Sequence, residues 1–205
     1  MEILLRKISK YLSFFYPEKL LEYLKIIHRY VYSEKIKRRF YKHGNIVSIR
    51  YPIDLKGAEY IEIGEEFRTN PGLILHCWDK YGNIDYSPRI KIGNNANLGR
   101  NNHIGCINCI EIGDNLLTGS NVFITDHNHG EITSDELGVA PIKRNLSSKG
   151  KVKIGFNVWL GDNVVVLANV EIGDNVVVGA NSVVTKNIES NCVAVGNPAR
   201  VIKKL

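Results

Sequence analysis

The chain has 205 residues, 44% of them hydrophobic and 23% charged, with 27 Lys and Arg against 21 Asp and Glu, a formal net charge of +6. This composition excludes a disordered or collagen-like chain, and no apolar run approaches the ~20 residues of a membrane-spanning helix. The N-terminus lacks the apolar stretch and cleavage site of a secretory signal. Four scattered cysteines do not make a disulfide scaffold, so we expect a cytoplasmic protein with reduced thiols.

The positive charge is concentrated at one end of the chain. Residues 1–43 contain 11 Lys or Arg and four acidic residues, whereas the remaining residues are close to neutral. Apolar residues at three- and four-residue spacing on both sides of Pro17 predict two amphipathic helices. This N-terminal helical segment either caps the main body with its cations in water or rests on an anionic membrane surface. No nucleic-acid-binding motif is present, so nucleic acid is not an expected partner.

From Ile92 onward, apolar residues recur every six positions, and Gly usually follows them. Asn stands three positions after the apolar residue, and both Asn and Gly adopt positive φ at low cost. The pattern predicts a solenoid in which three short strands form an 18-residue triangular coil with aliphatic residues facing the axis. The asparagines in phase are Asn95, Asn101, Asn115, Asn121, Asn157, Asn163, Asn169, Asn175, Asn181 and Asn187.

The repeat has one long interruption. Ile124 and Ile154 are 30 residues apart where six are expected, so a loop at about 130–150 is predicted to leave the solenoid. The phase is lost again at Glu189, and residues 188–205 are predicted to form a terminal cap. The sequence therefore predicts an all-β solenoid, a parallel β-helix over 44–205, after a helical segment at 1–43.

The repeat resembles the hexapeptide-repeat acyltransferases, which have a left-handed parallel β-helix. The run KIGFNVWLGDNVVVLANVEIGDNVVVGANSVVTKNI, followed by AVGNPARVI, is similar to the maltose and galactoside O-acetyltransferases. The segment FITDHNHG is similar to enzymes that O-acetylate lipopolysaccharide and capsule sugars. The resemblance covers roughly residues 46–205, and it implies the left hand, a homotrimer with active sites between subunits, acetyl-CoA as donor and a glycan as acceptor.

Two histidines stand before the loop. His127 is three positions after Ile124, where Asn otherwise forms the corner, and it is either a corner residue or a catalytic base. His129 is five positions after Ile124 and should point outward; gap-free spacing from Asn121 places it on the histidine of the family's His-Pro motif, although Gly130 replaces the proline. We therefore expect His129 to accept the proton of a sugar hydroxyl as its oxygen attacks the thioester, with His127 as the alternative.

Further site residues are implied by the resemblance. Trp159, at the equivalent outward position one coil on, is expected either beside donor and acceptor or in trimer packing. Gly161 is the candidate N–H donor to the oxyanion of the tetrahedral intermediate. The positions that fall where similar enzymes contact coenzyme A, or beside them, are Asp162, Ala180, Thr185, Lys186 and Arg200.

The acceptor site departs from the family pattern. Gly99 stands where similar enzymes place Asn, and Arg100, Asn101 or Asn102 are the expected substitutes, so the identity of the acceptor stays open. The motif His103-x2-Cys106-x2-Cys109 resembles half of a metal site, but no second pair of ligands has suitable spacing, and no metal is expected.

The leading hypothesis is O-acetyl transfer from acetyl-CoA to a saccharide hydroxyl in surface polysaccharide biosynthesis. The alternatives are N-acetylation of an amino sugar or a xenobiotic small molecule, and a non-catalytic hexapeptide scaffold. The histidines lack the five-residue pair of the β-helical carbonic anhydrases, and 43 residues before the repeat are too few for the nucleotide domain of a nucleotidyltransferase.

Overall fold

The computed structural model describes residues 1–131 and 133–205 and, at Phe15, the backbone alone. Ile132, within the predicted loop, lies outside the described residues. The N-terminal segment forms helix α1 (Glu2–Leu12), a 3-10 turn (Ser13–Phe15) and helix α2 (Glu18–Lys37). Within the described residues, none of the helices combines the length and the apolar character needed to cross a bilayer.

Short parallel strands form three walls of a triangular prism. Wall A contains β1 (Lys42–His43), β4 (Ile61–Ile63), β9 (Arg89–Ile92), β12 (Cys109–Ile112), β17 (Val152–Ile154) and β20 (Glu171–Ile172). Wall B contains β2 (Val47–Ile49), β5 (Phe67–Thr69), β10 (Asn97–Leu98), β13 (Leu117–Thr118), β18 (Trp159–Leu160), β21 (Val177–Val178), β23 (Cys192–Val195) and β24 (Arg200–Lys204). Wall C contains β3 (Ile53–Lys56), β6 (Leu73–Cys77), β11 (His103–Cys106), β14 (Phe123–Thr125), β19 (Val165–Val166) and β22 (Val183–Val184).

The chain passes through walls A, B and C in turn, and this order repeats from coil to coil. The result is a left-handed parallel β-helix, which confirms the predicted fold class. The bend from wall B to wall C is called the B–C corner, and the bend from wall C to the next wall A is called the C–A corner. Two pairs of short antiparallel strands leave the prism at the C–A corner: β7 (Lys80–Tyr81) with β8 (Ile84–Asp85), and β15 (Asn128–His129) with β16 (Leu146–Ser147).

The aliphatic residues of the repeat fill the interior of the prism. Ile154, Leu160, Val166 and Ile172 are each at most 1% exposed. A single coil cannot cover these side chains from water, so the stacking of parallel coils supplies the burial that holds the solenoid together.

Asparagine ladders run along two corners. In one ladder, each side-chain amide donates to the side-chain oxygen of the next asparagine at 2.7–3.0 Å, in the order Asn95, Asn115, Asn157, Asn175 and Asn191. The φ angles of these five residues lie between 54° and 61°. The other predicted corner asparagines also have positive φ, except Asn187, whose side chain instead accepts a hydrogen bond from the N–H of Glu171 at 2.8 Å. The last asparagine with positive φ is instead Asn191, because the repeat shifts in the final coil.

The structure differs from the pattern at the ends of the β-helix. The first strand begins at Lys42, two residues before the expected boundary. Within the segment predicted as a cap, β23 still continues wall B, and β24 then folds back antiparallel along it. Helix α2 packs on β2 through its buried residues, and the Ser33 hydroxyl accepts the N–H of Ile49 at 2.8 Å.

Candidate functional site

A buried carboxylate and an imidazole meet where wall C ends. Asp126 follows β14 and is fully buried, and its Oδ1 lies 3.0 Å from Nδ1 of His127, whose side chain is 14% exposed. With Nδ1–H donated to the carboxylate, Nε2 of His127 carries the lone pair that accepts a proton. His127 does not have positive φ, so it is not a left-handed corner residue.

The Asp126 carboxylate is held by the turn that follows β11. The N–H groups of Ile107 and Asn108 donate to its two oxygens at 2.9 and 2.8 Å, and the Cys106 thiol donates at 3.1 Å. Burial opposes ionisation, but hydrogen bonds from His127 and from these three donors outweigh it and hold the pKa of Asp126 below its ordinary value. Asp126 is therefore ionised at neutral pH.

Ile104 and Ile112 are eight positions apart where the repeat expects six. The turn that follows β11 accounts for the two extra residues, because Ile107 and Asn108 lie between the end of wall C at Cys106 and the start of wall A at Cys109. The adjacent Cys77 thiol, burial and the negative charge of Asp126 raise the pKa of the Cys106 thiol above its usual range, so the thiol stays protonated as a donor. Cys106, which belongs to the motif that resembles half of a metal site, thus acts as a hydrogen-bond donor to the Asp126 carboxylate. Across residues 1–131 and 133–205, no group of three or more His, Cys, Asp or Glu side chains is placed to hold a metal.

The preceding coil makes room for the His127 ring. A Cβ added at Gly105 would lie 3.3 Å from Cε1 of His127 and 3.5 Å from Nε2 of His103. Burial, followed by the charges of His76 and His127, lowers the pKa of His103. At neutral pH, His103 therefore presents no second positive charge to His127.

His129 lies outside this network. It is exposed in β15, pairs with Leu146 across the base of the extruded loop, and packs its ring edge-on against Tyr81 at 5.5 Å. The buried carboxylate of Asp126 therefore pairs with His127, which the sequence analysis named as the alternative base, and not with His129.

A second extrusion, which we did not locate from the sequence, supports the predicted loop. The β7–β8 hairpin leaves the same corner, and Tyr81 Oη donates to the carbonyl of Ile142 at 2.8 Å while Tyr86 Oη donates to that of Leu146 at 2.9 Å. Gly82-Asn83 between Tyr81 and Ile84 is a two-residue hairpin signal that could have revealed it.

The residues expected around the thioester lie on wall B and at the B–C corner. Trp159 points outward from β18 and is 51% exposed. Gly161 and Ala180 approach so closely that a Cβ at Gly161 would lie 2.7 Å from the Ala180 nitrogen. One expectation is corrected here: the N–H of Gly161 donates to the carbonyl of Val178 at 2.8 Å, so it is not available to an oxyanion.

The residues expected to contact coenzyme A do not share one corner. Asp162 is exposed at the B–C corner, where one carboxylate oxygen accepts the N–H of Ser120 at 2.6 Å. Arg200 is exposed in β24 opposite Val195. Thr185 and Lys186 follow β22, so they lie exposed at the C–A corner, on the same edge of the prism as His127.

The expected acceptor residues divide into accessible and buried positions. Arg100 is exposed at the B–C corner, and Asn101 is an exposed left-handed corner residue with φ 54°. Asn102 is 1% exposed; its side-chain oxygen accepts the N–H of Val122 at 2.8 Å and its amide donates to Thr118. Asn102 is therefore not free to contact a substrate as expected, because its amide already hydrogen-bonds to buried partners inside the coil.

Wall C separates the two groups of candidate residues. His127, Thr185 and Lys186 lie at its C–A end, whereas Asp162 and Ala180 lie at its B–C end. One chain alone therefore does not bring the imidazole to the exposed Trp159 surface. A second parallel copy, placed against the first, can bring the two corners together.

Comparison with known proteins agrees with this architecture. The model of the bacterial transferase hexapeptide family (six repeats) matches residues 151–186. The chain is 40% identical over 180 residues to a putative lipopolysaccharide biosynthesis O-acetyl transferase of Escherichia coli K12, covering 86% of this chain and 87% of the relative. It is 38% identical to the galactoside O-acetyltransferase of the same organism over 60% of this chain and 57% of the relative.

Solved structures show the same fold. A maltose O-acetyltransferase from Clostridium difficile 630 is 34% identical with a TM-score of 0.55, covering 84% of this chain and 73% of the other. A galactoside acetyltransferase in complex with coenzyme A is 30% identical with a TM-score of 0.57, over 82% and 67% of the two chains. A variant of an N-acyltransferase from Bacillus cereus, bound to coenzyme A and an amino-sugar nucleotide, has a TM-score of 0.69 over 83% and 87%, but at 24% identity this likeness concerns the fold alone.

Proposed function

Because the chain belongs to the hexapeptide-repeat acyltransferase family, we propose that it transfers the acetyl group of acetyl-CoA to a hydroxyl of a saccharide during capsule or lipopolysaccharide biosynthesis. The observation that carries the proposal is the Asp126–His127 pair at the root of the extruded loop. The 40% identity to a lipopolysaccharide O-acetyl transferase favours an oxygen acceptor over the nitrogen of an amino sugar.

In the proposed mechanism, Nε2 of His127 accepts the proton of the sugar hydroxyl while the hydroxyl oxygen attacks the thioester carbonyl. The ionised Asp126 carboxylate stabilises the imidazolium that forms. When the tetrahedral intermediate collapses, the C–S bond breaks, and the imidazolium returns the proton to the departing thiolate. Transfer is direct and needs no acyl-enzyme. His129 remains the alternative base. Its ring packs against Tyr81 at the same C–A corner.

The proposed active site lies between two copies of the chain in a homotrimer. One copy supplies His127 with Thr185 and Lys186, and its neighbour supplies the surface of Trp159, Gly161, Asp162, Ala180 and Arg200 to acetyl-CoA. The cationic side chains of Arg200 and Lys186 suit its phosphates. Arg100 and Asn101, on an earlier coil at the B–C corner, are the proposed acceptor contacts.

The proposal places the reaction in the cytoplasm. All four cysteines are free thiols, which suits a reducing compartment.

A thiol-release assay with acetyl-CoA tests the function. The acceptor panel contains neutral and acidic glycans, amino sugars and small-molecule amines, and hydroxylamine treatment of the product distinguishes an ester from an amide. We expect release of free coenzyme A only with hydroxyl acceptors and a product that hydroxylamine cleaves. A hydroxylamine-resistant product identifies an N-acetyltransferase, and absence of both coenzyme A binding and turnover supports a scaffold.

A further inference from the structure

A groove lies outside the proposed active site, between helix α2 and the B–C corner of the first two coils. Its volume is about 710 Å³. Leu21 and Leu24 of α2 and Tyr51 of the corner give it apolar walls. Lys25, Arg29 and Arg50 also line it, against a single carboxylate, that of Glu22. The groove therefore combines an apolar interior with an excess of positive charge.

One of its arginines has an unused donor. The Nε of Arg29 is buried and has no hydrogen-bond partner, one of two such side-chain atoms in the part of the chain that the structure describes. A buried N–H without an acceptor is unfavourable, and most buried polar groups in folded proteins are paired. Arg50, across the groove, makes a long contact of 3.4 Å to Asn70 and is otherwise exposed. Two guanidinium groups that line one groove, one of them with an unpaired N–H, are suited to bind a phosphate oxygen.

The surface around the groove is also apolar and positively charged. Helix α1 buries none of its residues, and Leu4, Leu5, Ile8 and Leu12 remain exposed on one side of it. On α2, Leu20, Leu24, Ile27 and Val31 form a second exposed stripe. Residues 1–43 carry 11 Lys or Arg against four acidic residues. An apolar, cationic surface of this kind matches the interface of an anionic bilayer.

We propose that the groove binds the phosphate headgroup of a membrane lipid, with Arg29 and Arg50 contacting the phosphate and the apolar walls contacting the first carbons of the lipid chains. The exposed faces of α1 and α2 lie against the same bilayer. The groove belongs to the first two coils and His127 belongs to the fourth, so the lipid site does not include the proposed base.

Calorimetric titration of the full-length protein with monomeric short-chain phosphatidylglycerol, below its micelle concentration, tests the site without a membrane surface. We expect binding by the wild type and a loss of at least about tenfold in affinity in the Arg29→Gln/Arg50→Gln variant, as expected when charge-assisted hydrogen bonds are lost. The matched control, Lys7→Gln/Lys10→Gln, removes the same charge from α1 and should bind the monomeric lipid like the wild type. The exposed single variant Arg50→Gln should also bind more weakly, and it keeps the test valid if loss of Arg29 impairs folding.

Two further ligands distinguish the source of the phosphate. Inorganic phosphate and uridine diphosphate should each bind at least about tenfold more weakly than the short-chain lipid, because they lack the apolar chains. Absence of lipid binding, an equal loss in the two double variants, or tighter binding of either soluble phosphate would each overturn the proposal. Thiol release in the same preparations is measured separately, so a failure of the acetyltransferase proposal is seen independently.

Discussion

At the scale of single residues, the candidate base is defined by what its ring contacts. His127 and His129 are two positions apart, yet only His127 has a buried carboxylate on Nδ1, whereas His129 contacts Tyr81 at the surface. The carboxylate favours the tautomer with its proton on Nδ1, and in the proposed mechanism it stabilises the positive charge that develops on the ring.

The two histidines therefore differ in their expected effect on turnover. His127→Ala should lower kcat by at least about 100-fold, since general-base catalysis contributes roughly that much, while His129→Ala should lower it by less than about tenfold. The measurement is coenzyme A release at saturating acetyl-CoA, with thermal unfolding to show that both variants fold. The reverse ranking would restore His129 as the base and remove the assignment based on geometry.

The ionisation of Asp126 makes the stability of the folded chain depend on pH. Its pKa is lower in the folded chain than in the unfolded chain, so its ionised form stabilises the fold above the unfolded pKa, and this contribution is lost as the pH falls through the folded pKa. Asp126→Asn should be less stable than the wild type by about 1–3 kcal/mol at pH 7. The difference should shrink below about pH 4, as followed by thermal unfolding. A difference that does not change with pH would contradict an ionised Asp126.

At the scale of elements, the corners of the coils depend on asparagine for two reasons. Asn175 has φ 55° and hydrogen bonds to Asn157 and Asn191 on the adjacent coils. Asn tolerates this left-handed conformation because its short side chain hydrogen-bonds locally, and each rung continues the ladder along the prism.

Substitutions at Asn175 separate these two contributions. Asn175→Ala loses both hydrogen bonds and places a Cβ at positive φ, so it should lower the free energy of unfolding by about 2–3 kcal/mol. Asn175→Gly loses the same bonds without the backbone strain and should cost about 1 kcal/mol less than Ala. Equal losses in denaturant unfolding would show that backbone strain does not contribute at this corner.

The two extrusions should restrain each other. Tyr86→Phe removes the hydrogen bond to Leu146 while keeping the ring, and loss of about 1 kcal/mol at this contact should raise the local opening of the loop about fivefold. Limited proteolysis within the loop should accelerate by a similar factor. Tyr23→Phe, which alters an exposed hydroxyl on α2, is the control. Unchanged cleavage in Tyr86→Phe would show that the hairpin does not hold the loop.

At the scale of the whole molecule, wall C separates His127 from Trp159 within one chain, so the proposed active site predicts that catalysis needs two copies. For the proposed homotrimer, co-expression of His127→Ala and Trp159→Ala chains with different tags should yield mixed trimers. In these, an intact His127 can face an intact Trp159, and random mixing should restore about one quarter of wild-type activity. Mixed trimers no more active than the two parent variants would place the whole site within one chain.

The sequence alone determined the solenoid, its triangular coils, its loop and its family, because a six-residue period records the same local burial and backbone requirements again and again. It also limited the candidates for the catalytic base to two histidines. The tertiary structure decided which of them has a carboxylate partner, because the donors that hold Asp126 come from Ile107 and Asn108, 19 and 18 residues earlier in the chain. It also decided that Asn102 and the N–H of Gly161 are already engaged. Spacing along the chain shows which residues recur in phase, but hydrogen-bond partners are set by which coils stack, and an insertion in one coil changes its partners in the next.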